Sequence, residues 1–232
     1  MTERPILCSD SVALAIREGR QTQHRVPMRP QPVIGDDGVW YPAAPRKPAH
    51  QSRHYANEEH FRRGVALDFA PWQPGDVLYV RECWRTTELV NGLDGFRYRA
   101  DGAFWPIANT KEAADRWLAV HRASGAWRPS IHMPKLAART WTGPVARTWI
   151  ERVQDISEED ARAEGIRPLT GQAGQPGCWY TGNVAAGPPL HARSAREAYR
   201  RLIEALYPGI WESNVWLWCC AFELDRERPG VL

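Results

Sequence analysis

Between Arg20 and Arg25 the chain reads Arg-Gln-Thr-Gln-His-Arg, six residues with hydrogen-bonding heads and no acid among them. Such a strip suits an anionic or base-like ligand. Arg20, Arg25 and the nearby Arg29 read either as phosphate contacts or as a solvated basic face. His24 titrates near neutrality, so it reads either as a general base or as an exposed loop residue. A second candidate surface surrounds Trp84, which Arg81 and Arg85 flank. An indole there can stack on an unpaired base, since every base has a π-face, or can simply cover a core. The same alternatives apply to the chain's 12 tryptophans in general.

These residues need elements to hold them. Val12, Leu14, Ala15 and Ile16 form a short amphipathic helix, opened by Ser9 or Asp10 and ended by Gly19. The basic strip is therefore expected to emerge, exposed, from that helix end. Gln73-Pro74-Gly75-Asp76 is a turn feeding a strand over 77–84, and 95–100 reads as another strand. Residues 111–121 have helical spacing, and 141–155 alternate as one or two strands. Ser157-Glu158-Glu159-Asp160 opens a capped helix that ends at Gly165. Residues 192–206 form the clearest amphipathic helix, and 215–224 an apolar strand buried on both faces. Residues 29–60 and 171–189, rich in Gly and Pro, read as long loops. Short strands, few helices and no βαβ alternation predict an α+β fold with a mixed, largely antiparallel sheet or small barrel.

Composition narrows the function classes. The 232 residues are enough for one large domain. With 30 bases against 27 acids, the net charge of +3 excludes a strong uniform field, so any nucleic-acid contact must be a local patch. Five cysteines show no CxxC pair and no zinc spacing, and read as reduced thiols. His50, His54 and His60 lack an acid or cysteine at a ligand interval, so no metal is expected, and no cofactor motif is present. No apolar run nears the roughly 18 residues of a membrane span, and the start lacks a signal-peptide core. A cytoplasmic protein without membrane contact is the expectation.

Several of these features occur in one order: Pro74-Gly75-Asp76 before a strand, Gly19 and Thr22 after the first helix, Ser157-Glu-Glu-Asp-Ala-Arg-Ala-Glu-Gly-Ile166, and Tyr207-Pro-Gly followed by Trp211 and a last strand. Arg4-Pro-Ile-Leu7, Tyr98-Arg-Ala-Asp-Gly102 and Trp127-Arg-Pro-Ser-Ile-His-Met-Pro134 complete the pattern. From Arg4 to about Leu224 the chain resembles the ASCH domain family of the PUA-like superfamily, in particular its larger prophage and phage-encoded members. The resemblance implies one domain, a PUA-like small antiparallel β-barrel with flanking helices. Insertions would fall at about 29–70, 103–135 and 167–190, with a ligand cleft beside the first helix. The implied partner is RNA, another single-stranded nucleic acid or a modified nucleoside.

One member of that family removes the acetyl group from N4-acetylcytidine, using a lysine, a threonine and a glutamate; another is reported as a ribonuclease. Here Gln21 stands at the lysine position, His24 at the threonine position with Thr22 nearby, and Val26 at the signature arginine, while Glu164 matches the glutamate. Amide hydrolysis needs an activated nucleophile, a proton carrier and a stabiliser for the tetrahedral intermediate. His24 and Glu164 would then be the acid–base pair, with Arg25 as oxyanion clamp. Lys135 would restore the positive charge if the 127–139 loop folds over the cleft. Two functions stay open: a hydrolase of RNA or an N-acylated cytidine, and a recognition module that performs no chemistry. A phage accessory protein that binds another protein is a third.

Overall fold

The computed structural model describes residues 2–36, 38–41, 54–89, 92–121, 125–168, 179–181 and 192–225. Strand β1 (Glu3–Leu7) leads into helix α1 (Asp10–Arg17) and strand β2 (Gln23–Pro27). A short hairpin, β3 (Val33–Ile34) and β4 (Trp40–Tyr41), precedes α2 (Glu58–Phe69). Next come β5 (Val77–Arg81), the meander β6 (Trp84–Glu88), β7 (Asp94–Tyr98) and β8 (Phe104–Pro106), and α3 (Lys111–Val120). The long strand β9 (Trp141–Arg152) runs on to α4 (Glu158–Ala163). A small pair, β10 (Ile166–Pro168) and β11 (Trp179–Thr181), is followed by α5 (Ala195–Leu206) and β12 (Trp216–Leu224).

The principal sheet has the order β1–β5–β9–β12–β2. β1 and β5 run parallel, and every other pairing in it is antiparallel. Its edges, β1 and β2, are consecutive strands that α1 connects, and among the described residues no backbone pairing joins them. Among the described residues the sheet is mixed and largely antiparallel, one of the two forms expected, and no closure into a barrel is seen. The expected strand over 77–84 divides instead: Val77–Arg81 stays in this sheet, and Trp84 begins the separate sheet β6–β7–β8.

β12 is buried on both faces, as its apolar sequence requires. Leu217 and Cys219 lie against α5 and its Ala198, Tyr199 and Leu202. Cys220 and Phe222 lie against Ala13 and Ile16 of α1. Ser9, Ser157 and Ser194 each cap a helix by accepting a backbone N–H, at 3.4, 3.0 and 3.1 Å. The region 29–60 is not wholly loop. It holds the β3–β4 hairpin and the start of α2, which Asn57 caps with an accepted N–H at 3.0 Å. The loop over 171–189 falls almost entirely outside the described residues, as do His50 and Cys178.

The tryptophans are mostly buried, and arginines hold them. Arg62 and Arg152 lie 4.5 and 4.4 Å from the Trp216 ring, and Arg128 lies 4.5 Å from Trp84. Arg25 and Arg147 lie 5.3 and 4.2 Å from Trp149. A guanidinium over a desolvated indole combines cation–π attraction with burial of the arginine stem. Trp216 is the clearest case, because it also meets Trp40 and Phe61 edge-on. Trp216→Ala is therefore expected to cost about 3–5 kcal/mol, the range for removing a buried aromatic. Chemical denaturation should show this as a lowered midpoint at unchanged slope.

Candidate functional site

The end of α1 and the end of α4 meet in a backbone bridge between Gln21 and Glu164. After α1 the chain turns through Gly19 at φ +73°, and the N–H groups of Arg20 and Gln21 both return to the Ala15 carbonyl. Thr22 N–H then donates to the Ala163 carbonyl at 2.9 Å. Gly165 follows α4 at φ +89°, and a Cβ there would lie 3.1 Å from Ala15 and 3.4 Å from Gln21. Glycine meets both demands, left-handed backbone and close approach of two chains.

This junction assembles a buried polar network. Gln21 Nε2 donates to Glu164 Oε2 at 3.0 Å and to the Gln23 carbonyl at 2.8 Å. Arg25 Nη1 donates to Glu164 Oε1 at 2.9 Å and to Gln23 Oε1 at 2.7 Å. Arg25 Nε reaches Glu151 Oε1 at 2.7 Å, while the other Glu151 oxygen accepts from Trp149 Nε1 at 2.8 Å. Arg25 Nη2 lies 3.5 Å from Asp160 Oδ1, an ion pair without a hydrogen bond. The Arg25 side chain is 0% exposed and that of Glu164 7%. The expected strip is thus not exposed, because Gln21, His24 and Arg25 are all buried.

Electrostatics follow from that packing. Burial pushes the Glu164 carboxyl up to about 7 against the pull of Arg25, with Glu151 and Asp160 adding repulsion. Arg25 stays charged. Its carboxylate neighbours also explain why this guanidinium has no place for a phosphate or an oxyanion: three acids already surround it.

The other sequence candidates lie elsewhere. His24 alternates to the opposite face of β2, where its ring meets Trp72 edge-on at 5.6 Å. It makes no pair with Glu164, and burial, with Arg25 adding to it, lowers its pKa to about 4. Thr22 is exposed, and its carbonyl accepts from Phe222 N–H. Lys135 pairs with Glu3 and lies 5.7 Å from the Trp141 ring, so it brings no charge to Glu164. Arg20 pairs with Glu18, and Arg81 donates to the Ile131 carbonyl. Trp84 is wholly buried with Phe96 and Tyr98, and offers no face to a base.

Glu151, Asp160 and Trp149 had no part in the sequence-based site. Asp160 carried a signal, since it stands four residues before Glu164 and shares its helix face. Glu151 and Trp149 carried none, because they join Arg25 across more than 120 residues of chain.

Beside the opposite end of α1 lies an open cleft of about 370 Å³, lined by Ser9, Asp10, Cys83, Arg99, Trp127 and Ser130 among others. Among the described residues no group of three His, Cys, Asp or Glu is arranged to hold a metal ion, and no helix is long and apolar enough to cross a membrane. No protein-family model matches the chain, and no curated protein or solved structure matches it.

The two buried titratable groups have opposite linkage to folding. Glu164 ordinarily titrates near 4.5 and here near 7, so between those values the folded state holds a proton that the unfolded state has lost. Stability contributed by Glu164 therefore falls as pH rises from about 4.5 to 7. His24 ordinarily titrates near 6.5 and here near 4, so the unfolded state binds the extra proton, and stability rises from about pH 4 to 6.5. Each effect amounts to roughly 3 kcal/mol, and they oppose each other over most of the same range. His24→Phe should leave a protein that loses stability between pH 4.5 and 7 relative to the wild type. Glu164→Gln should leave one that gains it. Denaturant titrations at four or five pH values would show the two slopes diverge.

Proposed function

We propose that this chain is an ASCH-type module of PUA-like architecture that binds single-stranded nucleic acid or a modified nucleoside without hydrolysing it. The strand–helix–strand unit β1–α1–β2, with α1 bridging the two edges of the five-stranded sheet, supports the architectural part. One observation carries the functional part: both oxygens of Glu164 are already engaged, one by Gln21 and one by Arg25, inside a sealed network. A general acid or base must reach the proton it transfers, directly or through one water. A carboxyl held on both sides and 7% exposed has no such reach. Gln21 supplies neither a base nor a charge, and His24 and Lys135 stand apart.

A hydrolase reading has its own supporting observation. Glu164 titrates near neutrality, which suits proton transfer, and the Gln21 Oε1 and Tyr199 hydroxyl atoms are buried without hydrogen-bond partners. Incubation with N4-acetylcytidine and, separately, with an unstructured RNA discriminates the two. The expected outcome is no deacetylation and no cleavage, from either the wild type or Gln21→Lys. Turnover by the wild type that disappears in Glu164→Gln would establish the hydrolase instead.

A further inference from the structure

We infer that the outer face of the three-stranded sheet β6–β7–β8 is a binding site for a phosphate dianion, free or as a monoester, held between the guanidinium groups of Arg85 and Arg97. The site is separate from the Gln21–Arg25–Glu164 network. It also lies on the opposite face of its sheet from Trp105, which Arg17 of α1 meets at 5.9 Å. It does not depend on the nucleic-acid function proposed above.

The first observation is the register. Arg85 on β6 and Arg97 on β7 stand directly opposite each other in the antiparallel pairing. Partners so placed have Cβ atoms about 4.5–5.5 Å apart, and like charges there repel. The acids of these strands, Glu88 and Asp94, fall on the other alternation, with Trp84 and Phe96. Among the described residues neither arginine pairs with a carboxylate. The face thus carries two cations side by side without a counter-charge, and an anion between them turns the repulsion into attraction.

The second is that both side chains are anchored. Arg85 lies 4.6 Å from the Trp127 ring centroid and donates through Nη1 to the Gly125 carbonyl at 3.1 Å. Arg97 lies 5.8 Å from the Phe104 centroid and donates through Nη1 to the Gly102 carbonyl at 2.9 Å. Phe104 in turn covers Gly95, where a Cβ would fall 2.7 Å from its ring. A backbone bridge between Trp84 and Arg128 adds the next segment to the edge of β6. Trp127, Arg85, Arg97 and Phe104 therefore follow one another across a single face. Each guanidinium is half-buried and spends one N–H on a carbonyl; apart from Arg85 Nε, which is buried, its other donors are uncommitted. Donors fixed before the ligand arrives lose little freedom on binding it.

These features select the ligand. Two neighbouring guanidinium forks suit a compact anion with two charges and several acceptor oxygens. A phosphate monoester carries about −1.5 to −2 at neutral pH on three terminal oxygens, and arginine pairs with phosphate through two parallel hydrogen bonds. A phosphodiester has one charge and two terminal oxygens, so it satisfies one arginine and leaves the other uncompensated.

Isothermal titration calorimetry at low salt with methyl phosphate, inorganic phosphate and dimethyl phosphate tests the assignment. At about pH 7.5 methyl phosphate should bind at least about tenfold more tightly than dimethyl phosphate. At about pH 5, where the ester is mostly a monoanion, its affinity should fall about tenfold. Arg97→Gln and Arg85→Gln should each weaken methyl phosphate by about tenfold or more, the scale of a lost charged hydrogen bond, whereas Arg97→Lys keeps the charge and part of the affinity. Circular dichroism verifies that each variant is folded. The tighter of methyl and inorganic phosphate tells an esterified ligand from the free ion, and either supports the site. Affinity unchanged in both glutamine variants, or no binding of any of the three probes, would overturn it. Equal affinity for the monoester and the diester would also remove the dianion site, while leaving the nucleic-acid-binding function standing.

Discussion

One buried guanidinium organises this molecule. Arg25 sits on an edge strand, β2, yet its side chain is completely enclosed and reaches carboxylates on β9 and α4. Three segments far apart in sequence are therefore joined through a single planar donor group. A guanidinium suits this role because its donors lie in a fixed fork and it stays charged in any accessible pH range. Desolvating it without partners would be prohibitive, so the strand, the helix end and the long strand must all be present before any of them is stable. The Ser157 cap and Gly165 then become requirements of the network. They decide where α4 starts and stops, and hence where Glu164 lands.

A second arginine does the same at the other side of the fold. Arg139, just before β9, forms two 2.8 Å hydrogen bonds with Glu82, at the β5–β6 junction. It also donates to both oxygens of Asp101, in the turn after β7, at 2.9 and 3.0 Å. Its guanidinium lies 3.9 Å from the Tyr98 ring centroid. This pairing clamps the three-stranded sheet onto the five-stranded one, where the chain leaves the expected single strand over 77–84. Burial raises the Glu82 carboxyl against the pull of Arg139. Both networks thus follow one rule: an arginine pays for its own desolvation by collecting acids from several elements.

Local signals in the sequence were sufficient for most of the elements and insufficient for the site. Ser157, Ser194 and Thr110 each stand where a helix begins, and the apolar run at 216–224 could only be an internal strand. Those features depend on neighbours within a few residues. The burial of Arg20-to-Arg25's inner members does not. An acid-free polar strip looks solvated until Glu151 and Glu164 arrive from more than 120 residues away, and an alternating Gln23-His24-Arg25 segment becomes a strand only because β12 pairs with it. The tryptophans misled for the same reason: flanking arginines in sequence suggested a ligand surface at Trp84, but the arginine that covers it is Arg128. The 29–60 region hid the start of α2 because its helix signal, Asn57 followed by Glu58 and Glu59, sits at the end of a proline-rich stretch.

The charge count around Arg25 explains why Glu164 differs from an ordinary salt-bridged acid. Arg25 faces Glu164, Glu151 and Asp160, with Arg147 also acting on Asp160, so full ionisation would leave the cluster net negative. Gln21 satisfies one Glu164 oxygen with a neutral donor and adds no charge. A lysine at that position would supply a second cation and hold the carboxylate ionised at neutral pH. With glutamine there, burial prevails, and Glu164 keeps its proton up to about 7. Gln21 Oε1, Arg25 Nη2 and the Tyr199 hydroxyl nonetheless stay without hydrogen-bond partners, so the junction at the C-terminal end of α1 is closed to solvent without being fully satisfied.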